Sequence, residues 1–189
     1  MSTAGKVDRR ALHWEKIRGP RAYAAFLVST WFGSGLLPKA PGTWGTLFAI
    51  PVAWALSTAE AGDAARLALW ASLFLIGTWA AGVFDETMGT ADNQNVVVDE
   101  VVGYGITAWT IGTDWPSILA AFVLFRFFDM VKPWPIRLVD RWSHRRSKGG
   151  DAKARARWTG FGVMADDVLA GVFGLACVVA LQKTGVLPS

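Results

Sequence analysis

The chain has 189 residues, of which 52% are hydrophobic and only 18% charged, with eleven Trp and a formal net charge of +4. A charged fraction so far below the usual quarter argues against an ordinary soluble surface and for a protein in or on a membrane, where Trp collects at the headgroup boundary; a Trp-rich soluble core is the alternative. The cations gather in two segments that read as cytoplasmic flanks, which suits anionic lipid and excludes nucleic acid as the partner, and the single cysteine, Cys177, excludes an internal disulfide.

Residues 1–21 read as a basic, flexible N-terminal arm without a signal peptide, because acids are mixed with the cations and no cleavage site follows. Residues 22–189 then form one helical domain. Ala22–Phe32 is a short apolar helix ending at Gly33-Ser34-Gly35. Two Pro and four Gly over residues 33–45 forbid a regular helix and give a structured loop, with Thr43 near the start of a helix over Trp44–Ser57. Leu67–Phe84 offers about eighteen uncharged residues, the best candidate for a membrane span.

Asp85–Asn95 is a polar loop, and Val96–Gly112 forms an apolar helix with Asp99 and Glu100 near its front. Pro116 suits the first turn of the helix that leads into Phe125–Pro135. In that stretch Arg126, Asp129 and Lys132 fall at i, i+3 and i+6, sharing one face within apolar surroundings, before Pro133 and Pro135 stop the helix. Residues 137–158 are strongly basic and read as a solvated cytoplasmic loop, with specific headgroup binding as the alternative. Val168–Leu181 is the last helix, with Gly171 and Gly174 spaced for close packing. Without repeats or strand alternation, the pattern predicts an all-α, compact bundle of about six helices, membrane-embedded or membrane-associated.

Asp99, Glu100, Asp129, Asp166 and Asp167 all lie within or beside apolar helices. Should they converge, five negative charges meet Arg126 and Lys132, leaving about −3, and buried carboxylates in that excess either take up protons or need a cation. All-oxygen ligation points to Mg²⁺, with Mn²⁺ as a substitute, since His and Cys are nearly absent. Each piece alone also has a plain structural reading: a helix cap for Asp166 and Asp167, an exposed helix start for Asp99 and Glu100, an ion pair for Arg126 with Asp129. The segment 33–46 reads either as a connection or as an anion cradle through Ser34, Thr43 and Thr46. His13 and His144 read as solvated. Cys-based, Asp-x-Asp and paired-His phosphatase chemistries lack their residues here, and metal-assisted hydrolysis survives.

Four segments together, Gly33–Thr46, Val97-Val-Asp-Glu-Val-Val-Gly103, Phe125–Ile136 and Gly162–Gly171, resemble the bacterial phosphatidylglycerophosphatase A family in order and spacing over about Phe32–Val179. The resemblance implies a Mg²⁺-dependent lipid phosphatase of about six helices. It would hydrolyse phosphatidylglycerophosphate to phosphatidylglycerol and phosphate in phospholipid biosynthesis, at the cytoplasmic side of the bacterial inner (plasma) membrane. Carried over residue by residue, Asp99, Glu100, Asp129, Asp166 and Asp167 match the family's acids, and Arg126 and Lys132 match its basic pair. Residues 145–159 look like an insertion that lengthens a surface loop.

The working expectation is that Asp99, Glu100, Asp166 and Asp167 hold Mg²⁺, with Asp129 as a further ligand or water-orienting base. Arg126, Lys132, Ser34, Thr43 and Thr46 would bind the substrate phosphate. Water activated by the metal would attack phosphorus, with an aspartyl-phosphate route through Asp99, Asp129 or Asp166 left open. The rival expectation is a small membrane transporter or ion-conducting bundle using the same acids, which at this length would need to form a homo-oligomer.

Overall fold

A computed structural model describes residues 10, 12–146 and 152–188. Among these residues the chain is all-helical, with seven α-helices: α1 (Gly19–Ser29), α2 (Pro41–Thr58), α3 (Asp63–Met88), α4 (Val98–Thr107), α5 (Trp115–Val131), α6 (Ile136–Arg146) and α7 (Ala152–Lys183). Short 3-10 turns at Trp14–Lys16 and Ser34–Leu36 precede α1 and α2. Helix α7 is the hub of the bundle and packs on α3, α4, α5 and α6.

Local chemistry sets several of these ends. Asp114 caps α5 by accepting from the Ser117 N–H at 2.9 Å, with Pro116 in the first turn. The same helix stops at Lys132, in the left-handed region at φ 44°, immediately before Pro133. Helix α3 ends at Gly89, also left-handed, whose N–H returns to the Asp85 carbonyl at 2.8 Å.

The bundle closes on two apolar clusters. One gathers Trp70, Tyr104, Phe125, Ile136 and Val178. The other joins Ile17, Phe26, Phe84, Met88, Val98 and Met164. Helix α4 runs between them and is buried along nearly its whole length. Two segments, Asp63–Met88 and Ala156–Lys183, are long and apolar enough to cross a membrane.

The bundle differs from expectation in several places: α3 runs on through Asp85–Met88 into the expected polar loop, α2 begins at Pro41 inside the expected loop 33–45, and α4 ends at Thr107 rather than Gly112. The basic stretch 137–158 is not a loop: α6 covers its start and α7 its end, and only 147–151 lie outside the described residues. The helix count therefore rises to seven, and residues 145–159 lengthen two helices rather than one loop. Gly160–Asp167 likewise sits inside α7. Glycine is tolerated there because α3 comes so close that a Cβ on Gly160 would lie 2.1 Å from the Thr78 carbonyl oxygen. Finally, the expected arm is structured from Trp14, helix α1 starts at Gly19 instead of Ala22, and Ile17 is buried. Residues 1–9 and 11 of that arm, and the side chain of His144, lie outside the described residues.

Candidate active site

The site forms where α4 crosses α7. Gly103 and Gly171 meet at this crossing: a Cβ on Gly171 would lie 2.4 Å from the Gly103 carbonyl oxygen, and one on Gly103 would lie 2.7 Å from the Asp167 carbonyl oxygen. One turn before each glycine stand Asp99 and Asp167, so the crossing that needs two glycines also sets two acids side by side. Thr107 tightens the contact, its hydroxyl lying 3.1 Å from the Gly103 carbonyl and 3.2 Å from that of Gly171.

Asp99, Glu100 and Asp167 each offer a carboxylate oxygen within 4.8 Å of the others. Asp129, Lys132 and Asp166 join them in lining one cavity of about 440 Å³. Asp99, Asp166 and Asp167 are buried. Burial first, and then the charges of Glu100 and Asp167, push the Asp99 carboxyl well above the usual carboxylate range. Burial carries Glu100 up to about 7.

Two cations answer these acids from α5. Arg126 Nη1 lies 2.7 Å from Asp129 Oδ2 and 3.8 Å from Glu100 Oε1. Gly42, at the start of α2, makes room for this group, since a Cβ there would fall 2.0 Å from Glu100 Oε1. Lys132 donates to Asp166 Oδ2 across to α7. Its burial works against the ammonium charge, but Asp166 and Asp167 outweigh that and hold it above the ordinary lysine range.

The donor set fits a hard divalent cation. Asp99 Oδ1, Glu100 Oε2 and Asp167 Oδ2 are buried without a hydrogen-bond partner, which is costly for carboxylates unless a cation sits among them. All the available donors are oxygens, as Mg²⁺ or Mn²⁺ prefers.

The five sequence-predicted acids and Lys132 thus meet in one cavity. Asp166 and Asp167 are mid-helix and cap nothing. Arg126 is not among the residues lining the cavity but pairs with Asp129 and lies near Glu100, which are. Ser34, Thr43 and Thr46 are also off the lining. The Ser34 hydroxyl donates to the Thr30 carbonyl at 3.1 Å and the Thr46 hydroxyl to the Gly42 carbonyl at 2.8 Å, both along their own chain segments. From that loop it is Ala40, Pro41 and Gly42 that reach the cavity, with Ala40 left-handed at φ 48°. His13 stays near Glu15, with Nδ1 3.2 Å from Oε1.

Sequence reading missed the loop between α3 and α4. Asp92, Asn93 and Gln94 line the cavity, as do Thr159 and Arg10. Asp85 holds that loop from below. Its carboxylate accepts from Thr90 Oγ1 at 2.7 Å, from the Asp92 N–H at 2.9 Å and from the Asn93 N–H at 3.0 Å. The available signal was an acid directly after the uncharged run Leu67–Phe84, where a buried carboxylate demands partners.

Residues 27–182 match the family model described as Phosphatidylglycerophosphatase A. A phosphatidylglycerophosphatase A of Haemophilus influenzae is 38% identical over 82% of this chain and 87% of its own length. One of Escherichia coli is 39% identical over 77% and 76%. A putative phosphatidylinositol-3-phosphatase of Bacteroides thetaiotaomicron is 36% identical over 83% and 92%. No solved structure matches the chain at a significant level. An all-helical bundle around an acid-lined, lysine-bearing cavity, with these relatives, is a phosphatase, a hydrolase of phosphate monoesters. The chain belongs to the phosphatidylglycerophosphatase A family. That membership replaces the transporter reading.

Proposed function

We propose that the protein is a Mg²⁺-dependent lipid phosphatase that hydrolyses phosphatidylglycerophosphate to phosphatidylglycerol and inorganic phosphate, working at the cytoplasmic side of the bacterial inner membrane. The observation that carries this reading is the meeting of Asp99, Glu100 and Asp167 within 4.8 Å in a cavity that also presents Lys132, in a chain of this family. Membrane association is supported by the two apolar helices and by large exposed side chains on α2 and α5, among them Phe48, Trp54, Leu119 and Phe127.

Mg²⁺, when bound, would offset part of the local negative charge and supply a Lewis acid for a phosphoryl oxygen and an attacking water. Asp99, Glu100 and Asp167 would hold it, with Asp166 and Asp129 at the edge of the group. Lys132, kept at the cavity wall by Asp166, stabilises charge that grows on the phosphoryl oxygens. Asp129, oriented by Arg126 at 2.7 Å, accepts a hydrogen bond from the attacking water and aligns it. Released phosphate is measured from detergent-dispersed phosphatidylglycerophosphate with Mg²⁺ and after chelation. Release that needs the metal is expected; release unaffected by exhaustive chelation would discard the metal's role, and no release would discard the substrate.

A further inference from the structure

The family match begins at residue 27, yet Arg10 lines the catalytic cavity. The segment that carries it is fastened over the end of α3. Ile17 is buried in the cluster that holds Phe84 and Met88, and the Trp14 ring meets Phe26 edge-on at 5.3 Å. The His13 N–H donates to Met88 Sδ at 3.4 Å, and Lys16 Nζ donates to the Met88 carbonyl at 3.4 Å. At the cavity itself, Arg10 Nε donates to Gln94 Oε1 at 3.1 Å, and Asn95 Nδ2 donates to the Arg10 carbonyl at 3.3 Å. Backbone and side chain of Arg10 are therefore both tied to the loop between α3 and α4.

Electrostatics gives this position a task. Among the described residues the cavity is lined by Asp92, Asp99, Glu100, Asp129, Asp166 and Asp167, and by the cations Lys132 and Arg10 alone. A dication offsets part of that excess, but a phosphorylated lipid brings further negative charge into it. Lys132 is half-buried against Asp166, whereas Arg10 is exposed. Guanidinium presents a planar fork of donors that matches phosphate oxygens.

We propose that Arg10 is a substrate-binding, specificity-determining residue that holds the diester phosphate of a lipid carrying two phosphate groups, while the terminal monoester enters among the acids. The assignment rests on phosphatidylglycerophosphate being the substrate. It makes the N-terminal segment, outside the matched region, the part that separates such a lipid from one with a monoester alone.

Wild type, Arg10→Gln and Arg10→Lys are compared on phosphatidylglycerophosphate and on phosphatidic acid, in detergent with Mg²⁺, the second lipid being read as substrate or, if uncleaved, as competitive inhibitor. Losing one charge-assisted contact predicts that Arg10→Gln raises KM for phosphatidylglycerophosphate about 10-fold or more, with kcat near wild type. The constant for phosphatidic acid stays unchanged, Arg10→Lys restores part of the loss, and all three proteins melt alike because Arg10 is exposed. Equal shifts on both lipids, or none on either, would overturn the assignment. A wild-type protein that cleaves phosphatidic acid and spares phosphatidylglycerophosphate would instead overturn the substrate on which it rests.

Discussion

Gly171 of α7 sits so close to Gly103 of α4 that a methyl group on it would stand 2.4 Å from the Gly103 carbonyl oxygen. The acids one turn earlier, Asp99 and Asp167, inherit their spacing from this contact. Gly171→Ala sets two effects against each other. Alanine favours a helix over glycine by about 1 kcal/mol, whereas forcing an extra carbon into a packed crossing costs about 1–3 kcal/mol and separates the helices. We expect a lower melting temperature and a Mg²⁺-dependent activity that falls further than stability does. A variant that melts higher with full activity would show that the crossing has slack.

Asp167 tests the charge balance directly. Its Oδ2 is buried without a partner, beside Asp99 and Glu100. Asp167→Asn removes one repelling charge and one oxygen donor for a cation. In chelator the variant is expected to melt at or above the wild-type temperature, because fewer like charges crowd the cavity. Added Mg²⁺ should raise that temperature in wild type and leave the variant unmoved, and phosphate release should drop on the order of 100-fold or more. Wild-type Mg²⁺ stabilisation in Asp167→Asn would remove this residue from the metal site.

Residue chemistry revealed the centre of the site better than its walls. Acids embedded in apolar helices have few stable arrangements, so Asp99, Glu100, Asp166 and Asp167 could be grouped before any coordinates were known. The same logic says less about Arg126, which pairs with Asp129 and lies near Glu100. Hydroxyls at Ser34 and Thr46 looked available because sequence does not reveal that a helical Ser or Thr turns back to a carbonyl one turn away. The basic stretch misled for a related reason. Cations suggested solvent, yet a helix in contact with a neighbour needs only one apolar face, and α7 begins there. Arg10 and the loop 91–94 arrive by tertiary contacts that no periodicity encodes.

Asp85 governs that loop. Its buried carboxylate accepts three hydrogen bonds, from Thr90 Oγ1 and from the N–H groups of Asp92 and Asn93. Asp85→Asn keeps the shape but loses the charge on the acceptor and turns one oxygen into a donor facing donors. A stability loss of about 1–3 kcal/mol is expected. Amide exchange should quicken at residues 90–95 before it does in α4, with KM for the lipid rising alongside. Unchanged exchange in that loop would leave Asp85 without the anchoring role.

The pH dependence of stability separates proton from metal at Glu100, which belongs to α4 and so lies outside the two candidate spans. Burial lifts this carboxyl from an ordinary value of 4.5 to about 7. The folded protein therefore keeps a proton there that the unfolded chain has already released. Stability without metal must then fall as pH rises from about 4.5 through 7, because the native state binds more protons over that window. Asp99, also raised, adds to the same direction. A bound dication reverses the penalty by replacing the proton, so stabilisation by Mg²⁺ should grow with pH over the same range. At a concentration 100 times its dissociation constant it should reach about 2.7 kcal/mol. Melting curves in chelator and in Mg²⁺ from pH 5 to 8 give both slopes. If the chelated protein grew more stable toward pH 8, or if the Mg²⁺ shift were flat across the series, protons and metal would not be competing for these carboxylates.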